Sequence, residues 1–214
     1  MRRTLLLVVV AVVATALGAT GARAEDGVAP SCHAALRDRG ITFEPATRKG
    51  IDLGVEVRGP IAGVEFAFDG PLVLDCSLVV SLAEMAPYLT ALGLTKATIS
   101  SGYSRRNVRG TKRPSRHSFG LAADISGFAG DAVGSLRVSR DYEQGLGDER
   151  DCVGQPITEG GALLKILQCQ LIRSGLFRVV LSPDYDDAHH DHFHVEALAW
   201  PKRAAVRATT TAIH

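Results

Sequence analysis

Two widely separated stretches decide what this chain folds around: they read Ser115-Arg116-His117-Ser118-Phe119-Gly120-Leu121-Ala122-Ala123-Asp124 and His189-His190-Asp191-His192-Phe193-His194-Val195-Glu196. Together they hold five of the chain's seven histidines, with carboxylates beside them. Neutral imidazole and carboxylate are the usual protein ligands of a catalytic zinc ion, which takes three such groups and keeps one position open. The sequence therefore predicts that the two stretches converge on a single metal ion.

The second stretch, and the end of the first, have the alternation of β-strands. Successive side chains of a strand point to opposite faces, so His192, His194 and Glu196 share one face, while the apolar residues between them point into the core. Asp124 likewise lies on the face opposite its apolar neighbours. A carboxylate in such a run needs a charged or hydrogen-bonding partner, and a metal ion would provide it.

Hydrophobic periodicity along the rest of the chain predicts strands interspersed with helices. Apolar residues recur at helical spacing over 77–92 and 161–174, each followed by glycine, and a brief helix is expected over 32–39. Runs of β-branched and apolar residues predict strands at 54–57, 64–68, 97–103, 120–128, 177–181 and 192–198. Because strands and helices do not alternate regularly, the predicted class is α+β.

Between these elements lies a long segment without clear periodicity. Residues 129–157 are rich in Gly, Asp and Arg, and we interpret them as a surface insertion with a small hairpin around 135–138. Residues 201–214 are basic and rich in Ala and Thr, which predicts a disordered tail. The remainder, 25–200, is long enough for one domain with a substantial core.

The first 24 residues have the pattern of a secretory signal peptide. Arg2 and Arg3 precede an apolar run over 5–17, and Ala22-Arg23-Ala24 is a small-x-small cleavage site. We expect cleavage near Ala24, a periplasmic or secreted protein, and no stable membrane anchor. An uncleaved anchor is the alternative, and it needs a longer apolar run than this one.

The four cysteines predict two disulfides, because an even number in an exported chain is typical of cross-linked domains. Three pairings are open to the sequence. We favour the sequence-local pairs, Cys32–Cys76 and Cys152–Cys169, over the other pairings and over free buried thiols.

The charge balance does not predict nucleic-acid binding. The formal net charge is +1, and loss of Arg2, Arg3 and Arg23 takes it three lower, to −2. The distribution is uneven, however, because a run of six cations without an acid leads into the first stretch: Arg105, Arg106, Arg109, Lys112, Arg113 and Arg116. Such a run is either a solvated loop or, beside a metal centre, a surface that receives substrate carboxylates.

The two stretches also resemble a known family. The pattern Ser115-x-His117-x-x-Gly120-x-Ala122-x-Asp124 matches the SxHxxGxAxD motif of zinc D-alanyl-D-alanine carboxypeptidases, which share a fold group with lysostaphin-type peptidases and the hedgehog domain. With Tyr103-Ser104-Arg105 and the ending from Pro183 to His194, the chain more closely resembles the bacterial extensin-like C-terminal domain family. The resemblance covers roughly 32–198 and implies a single domain with a central, mostly antiparallel sheet and flanking helices.

The same resemblance implies roles for individual residues. It implies a zinc ion held by His117, Asp124 and His194, with the fourth position open. His192, the first histidine of the HxH pair, is implied as the base or transition-state stabiliser. Asp191 takes the position of the family group's ExxH glutamate and is either a shorter base or a group that orients an imidazole.

Further residues are expected around these. His189 and Glu196 are expected to orient the metal ligands, and Ser115 is expected to make hydrogen bonds within its loop. Arg105 is expected to bind a substrate carboxylate or carbonyl, with Arg106 as a second candidate, because a guanidinium offers a planar donor fork.

These implications predict an exported zinc peptidase that cuts peptidoglycan stem peptides or cross-links, of the D-Ala–D-Ala type. Two other hypotheses stay open at this point. One is a metal-containing module that binds wall polysaccharide without cutting, which the aspartate at 191 favours. The other is a metal buffer that uses the His- and Asp-rich loop 184–194 to hold several weakly bound ions.

Overall fold

A computed structural model describes residues 31–146 and 152–201. Its four helices are α1 (Cys32–Asp38), α2 (Cys76–Ala91), α3 (Val138–Asp141) and α4 (Glu159–Ser174). Its nine strands are β1 (Phe43–Pro45), β2 (Gly54–Val57), β3 (Glu65–Ala67), β4 (Val73–Asp75), β5 (Lys96–Ser101), β6 (Ala122–Gly130), β7 (Gly134–Arg137), β8 (Val179–Leu181) and β9 (Phe193–Glu196). The predicted signal peptide and the tail beyond 201 lie outside the described residues.

Local signals explain where the two long helices begin and end. The Asp75 side chain accepts a hydrogen bond from the Ser77 amide at the start of α2, and Thr158 does the same for Gly161 at the start of α4. Gly175 ends α4 in the left-handed conformation at φ 63°. Both helices lie within a few residues of the predicted ranges 77–92 and 161–174.

The strands form two sheets, and this arrangement confirms the α+β class. The smaller sheet has the order β1-β2-β4, and the larger has the order β3-β5-β6-β9-β8, with β7 also paired to β6. Among the described strands every pairing is antiparallel except that of β3 with β5. Helix α2 packs against β4, helix α4 packs against β8, and α1 packs on α2. In the interior of the larger sheet, β6 and β9 lie side by side.

The pairing of β6 with β9 sets the position of the histidine-rich stretches. The register makes Asp124 the direct partner of His194, and Ile125 the partner of Phe193. Ile125 and Phe193 are fully buried, so the apolar faces of both strands pack into one core, as their alternation predicts. The polar faces of the two strands therefore lie together on the other side of the sheet.

A tight turn brings the first histidine to the same place. His117 lies in a short 3-10 turn at Arg116–Phe119, and the chain enters β6 through Gly120 at φ 63°. A Cβ atom on Gly120 would lie 2.7 Å from the Asp75 amide nitrogen and 2.8 Å from the Ile51 side chain. Only glycine fits this turn, which explains its place in the motif.

Both predicted disulfides are present. Cys32–Cys76 joins the first residues of α1 and α2, and Cys152–Cys169 joins the segment before α4 to the helix itself. Among the described residues no cysteine is left free. Such bonds fit an oxidising compartment. Within the described ranges, no helix has both the length and the apolarity needed to cross a membrane.

One part of the sequence interpretation is wrong. Residues 129–157 are not wholly a surface insertion, because β6 continues to Gly130 and turns into β7, which pairs with it. Leu136, Val138 and Tyr142 are buried in the core. The predicted hairpin near 135–138 is real, and its few apolar side chains are enough to hold it against β6 and α4. Strands β1 and β4 were not predicted. Pro45 argues against a strand at β1, and β4 is buried at all three positions and shows no alternation.

Candidate metal centre

Three side chains from distant elements converge on one point. His117 Nε2 lies 3.1 Å from Asp124 Oδ1 and 3.3 Å from His194 Nδ1, and the last two atoms are 2.7 Å apart. All three residues are buried, with exposed fractions of 1, 5 and 8 %. In the described part of the chain, they form a group that could hold a metal ion.

The spacing of the three atoms fits a tetrahedral cation. Zinc bonds to nitrogen and oxygen are about 2.0–2.1 Å long, so ligand atoms at tetrahedral angles lie about 3.3 Å apart. The observed separations of 2.7–3.3 Å need only a small outward movement to meet that value. Two imidazoles and one carboxylate are also the donor types that favour zinc over magnesium or calcium.

The hydrogen bond made by Nδ1 of His117 determines which nitrogen of its ring is available to a metal ion. Its Nδ1 lies 2.6 Å from the Gly102 carbonyl oxygen, which can only accept, so Nδ1 carries the proton and donates it. In the neutral ring the lone pair therefore lies on Nε2, which faces Asp124 and His194. A protonated ring would instead donate a hydrogen bond from Nε2 to Asp124. The Gly102 carbonyl lies just after β5, so the end of that strand orients the ring.

The orientation of His194 follows the same logic through a carboxylate. Its Nε2 lies 3.3 Å from Glu196 Oε1, and that carboxylate is itself held by Arg178 at 2.7 Å. A histidine that gives one N–H to a carboxylate offers its other nitrogen to a metal with raised basicity. The Arg178–Glu196–His194 chain thus directs Nδ1 of His194 towards the centre.

In the metal-free protein, Asp124 and His194 strongly shift each other's pKa values. Burial raises the pKa of Asp124, but hydrogen bonds from His117 and His194 outweigh it and hold that pKa well below its ordinary range. Burial lowers the pKa of His194, but Asp124 and Glu196 outweigh it and raise the pKa to about 9. In the metal-free protein at neutral pH, the centre is therefore a charged imidazolium–carboxylate cluster.

His192 lies at the edge of this cluster with its own carboxylate partner. Its Nδ1 is 2.7 Å from Asp191 Oδ1, and its Nε2 is 3.4 Å from Asp124 Oδ1. The hydrogen bond to His192 is the main cause of a lowered pKa for Asp191. An ionised Asp191 fixes the proton of His192 on Nδ1, which leaves Nε2 as a proton acceptor facing the centre.

His189 closes the same side of the site. Its Nδ1 is 2.5 Å from Asp186 Oδ1, and its ring packs against Tyr185 at a centroid separation of 5.4 Å. Its centroid is also 5.2 Å from that of His192 and 5.7 Å from that of His194. His189 therefore packs on two site rings and touches none of the three ligand atoms.

The two arginine candidates are placed differently. Both are exposed, but Arg106 reaches the centre, with Nη2 3.1 Å from Asp124 Oδ2. Within the described residues, Arg105 has no hydrogen bond or ion pair to the three donor residues. The contact occupies the second oxygen of Asp124, so that Oδ1 alone faces the histidines. Ser115 supports the turn, because its side chain accepts a hydrogen bond from the His117 amide.

Sequence reasoning missed several contributors. Gly102 acts through its carbonyl, which carries no side-chain signal, and Arg178 comes from the start of a different strand. Asp186 was part of the acidic run that the sequence singled out, and its spacing of three residues from His189 could have signalled the pair. The buffer hypothesis has no second ligand group within residues 31–146 and 152–201 to support it.

Comparison with known proteins identifies one family. The sequence model described as "Extensin-like protein C-terminus" matches residues 30–206, most of the chain. No curated protein and no solved structure matches.

Proposed function

Since the chain belongs to the extensin-like protein C-terminus family and carries this buried donor set, we propose that it is an exported zinc-dependent peptidase acting on peptidoglycan. The bonds proposed are those of stem peptides or cross-links, of the D-Ala–D-Ala type. The resemblance of the His117–Asp124 motif to that of zinc carboxypeptidases supports this choice of substrate. Two disulfides support a periplasmic or secreted location.

The observation that carries the proposal is the orientation of both histidines. Nδ1 of His117 and Nε2 of His194 are each committed to an acceptor outside the cluster, so the remaining nitrogens and Asp124 Oδ1 point at one another. A site of purely structural hydrogen bonds has no need of two ring nitrogens turned towards each other at 3.3 Å. Zinc held there would act as a Lewis acid towards an amide carbonyl and would lower the pKa of a water molecule.

The residues around the donor set support a proposal of amide hydrolysis. His192 Nε2 would take a proton from the attacking water and return it to the leaving amine, with Asp191 keeping the ring oriented. Arg105 and Arg106 would bind the terminal carboxylate of a peptide, for which a guanidinium is well matched. Arg106 is the better placed of the two, because it already contacts a carboxylate of the site.

One observation favours a second function, a wall-binding module without hydrolysis. In the zinc carboxypeptidases that the motif resembles, the position of Asp191 holds a glutamate. Here the carboxylate is shorter and engaged with His192 at 2.7 Å. If that pair cannot transfer protons, the metal centre would serve to hold the fold and to bind ligand.

Digestion of sacculi separates the two functions. Purified protein loaded with zinc is incubated with sacculi and with isolated muropeptides, and the products are separated by chromatography and identified by mass. New fragments or released D-alanine that disappear in Asp124→Asn support the peptidase. Retention on sacculi without any new fragment, at one zinc per chain, contradicts it and supports the binding module.

His190→Gln is the matched control. His190 lies in the same loop, is exposed, and contacts only the Asp187 backbone carbonyl in the part of the chain described. It should cut at the wild-type rate. Equal loss of cleavage in His190→Gln and Asp124→Asn would mean that the loop, and not the donor set, is responsible.

A further inference from the structure

A cavity of about 590 Å³ lies along α4, on residues that take no part in the metal centre. One wall is α4 itself, a second is the segment 152–156, and Tyr88 of α2 contributes a third. The Cys152–Cys169 disulfide ties the segment to the helix and so holds two of the walls together. The volume is in the range of small-molecule sites.

A buried lysine lines the cavity. Lys165 is 6 % exposed, and its ammonium nitrogen has no hydrogen-bond partner within the described parts of the chain. Arg173 lines the same cavity, and no carboxylate does so among the described lining residues. Burying an ammonium group without an anion is costly, so the arrangement calls for a negative group from outside.

A second buried polar atom without a partner in the described structure limits the kinds of ligand that fit the cavity. The side-chain oxygen of Gln170 is buried and also lacks a donor in the described structure, and Gln170 lines the same cavity. A ligand that satisfies both groups needs an anion and a hydrogen-bond donor. Tyr88, Pro156 and Ile166 also line the cavity and contribute apolar surface, and Ile166 is 45 % exposed.

We propose that this cavity binds a small peptide-like carboxylate, that is, an N-acylated amino acid or the C-terminal residue of a peptide. The carboxylate would pair with Lys165, with Arg173 as a second cation, and the adjacent N–H would donate to Gln170. An apolar side chain would lie on the surface that Tyr88 and Ile166 form. This site is independent of the proposed peptidase activity and requires no metal.

The test is a calorimetric titration, in the presence of EDTA, with N-acetyl-leucine and N-acetyl-leucinamide, each as both enantiomers. The amide has the same shape and the same N–H as the acid but no charge. Wild-type protein is expected to bind one enantiomer of the acid at least tenfold more tightly than the amide. Equal affinities, or no binding of either probe, would overturn the proposal.

Variants locate the binding. Lys165→Met, close in length but uncharged, should remove the preference for acid over amide to within twofold. Lys49→Met, which changes an exposed lysine that lines neither the cavity nor the metal centre, should keep the preference. Gln170→Leu should weaken N-acetyl-leucine several-fold and leave 4-methylpentanoate, which lacks the N–H, unchanged. Thermal unfolding of each variant shows that it is folded. A preference that survives Lys165→Met would mean that the probe binds elsewhere.

A rival partner for Lys165 is tested in the same way. Asp148, Glu149 and Asp151 lie close in sequence to Cys152 and outside the described residues. If the chain's own carboxylates neutralise Lys165, wild-type protein will bind N-acetyl-leucine and its amide with equal affinity. The triple variant Asp148→Asn/Glu149→Gln/Asp151→Asn will then bind the acid more tightly than the amide. That result would contradict the proposal and identify the lysine as a structural ion-pair partner.

Discussion

Asp124 and His194 face each other as direct partners on the antiparallel strands β6 and β9, with Asp124 Oδ1 2.7 Å from His194 Nδ1. They lie seventy residues apart in the chain, and the sheet makes them neighbours. Because strand partners are held by the ladder on both sides, the two donor atoms are fixed before any ligand binds. The third donor residue, His117, lies in the turn at Arg116–Phe119, and the positive φ of Gly120 permits that turn.

The first prediction concerns metal retention. Asp124→Asn and His194→Gln should each lower zinc affinity by more than the roughly 10–100-fold that is typical of changes to residues that only hydrogen-bond a ligand. The first replaces a charged carboxylate ligand by a neutral amide, and the second removes the imidazole nitrogen. Equilibrium dialysis with metal analysis measures this, with His190→Gln as the control. One tightly held zinc per chain in either variant would show that the metal is bound elsewhere.

A second prediction tests the carboxylate behind His194. Glu196→Gln should weaken zinc binding by roughly 10–100-fold without removing a ligand, because His194 loses a charged partner. Glu65→Gln removes an exposed glutamate that pairs with Lys96 and should leave affinity unchanged. Dialysis of both variants against a zinc buffer gives the comparison. Wild-type affinity in Glu196→Gln would mean that the 3.3 Å contact does not support the ligand.

The stability of the metal-free protein should depend on pH in a defined direction. The pKa of His194 is raised from 6.5 to about 9, so its contribution is complete below pH 6.5 and is lost as the pH rises through about 9. The pKa of Asp124 is lowered from 3.8, so its contribution is present above that pH and is lost as the pH falls. The free energy of unfolding, measured with urea in EDTA, should therefore be highest between pH 3.8 and pH 6.5.

The matched variant for this pH effect is His194→Gln, which should remove the decline of stability between pH 6.5 and about 9. With zinc in excess the trend should reverse over that range, because the metal must displace the proton of His194. An alkaline decline of the same size in His194→Gln would assign the titration to another group.

The fourth prediction separates His192 from Asp191. His192→Ala should lower kcat by roughly 10²–10⁴-fold, the usual contribution of a positioned acid or base, while zinc content stays at the wild-type level. Asp191→Asn should lower kcat less and shift the pH profile, because it alters only the orientation and basicity of the ring. The measurement is muropeptide cleavage at saturating substrate. Full activity in His192→Ala would exclude it as the base.

A fifth prediction concerns the buried contacts beneath the histidine loop. The Tyr142 hydroxyl lies 2.7 Å from Gln168 Oε1 and 2.9 Å from Asp184 Oδ2, and so ties α4 and the hairpin to the loop that carries His189 and His192. Tyr142→Phe should lower the free energy of unfolding by about 1–2 kcal/mol, because it leaves buried acceptors unpaired.

Tyr103→Phe provides the control for that change. Its hydroxyl donates to the Lys49 carbonyl at 2.9 Å in an exposed position, so the loss should be at most about 0.5 kcal/mol. Urea denaturation compares the two variants. Equal effects would mean that the Tyr142 contacts contribute no more than a surface hydrogen bond.

Much of the local structure could be predicted from the sequence. The helices α2 and α4 have apolar residues at helical spacing and clear end signals, and β9 has the alternation that places Phe193 in the core. Strands β1 and β4 could not be predicted, since β1 ends in Pro45 and β4 lacks the alternation of buried and exposed residues. The role of 134–142 was misjudged because Leu136 and Tyr142 are buried by contacts with distant elements that a local pattern does not contain.

By itself the sequence determined the α+β class and the residue types able to hold a metal, because these are given by local spacing and side-chain chemistry. It left three disulfide pairings open, and the structure confirms the one that we favoured. Only the tertiary structure decided which nitrogen of each histidine faces the centre, and that Arg106 rather than Arg105 reaches Asp124. Those outcomes depend on the Gly102 carbonyl, on Glu196 with Arg178, and on the register of β6 with β9. A hydrogen-bond partner selects a tautomer only after the fold has brought it within 3 Å or so of the ring.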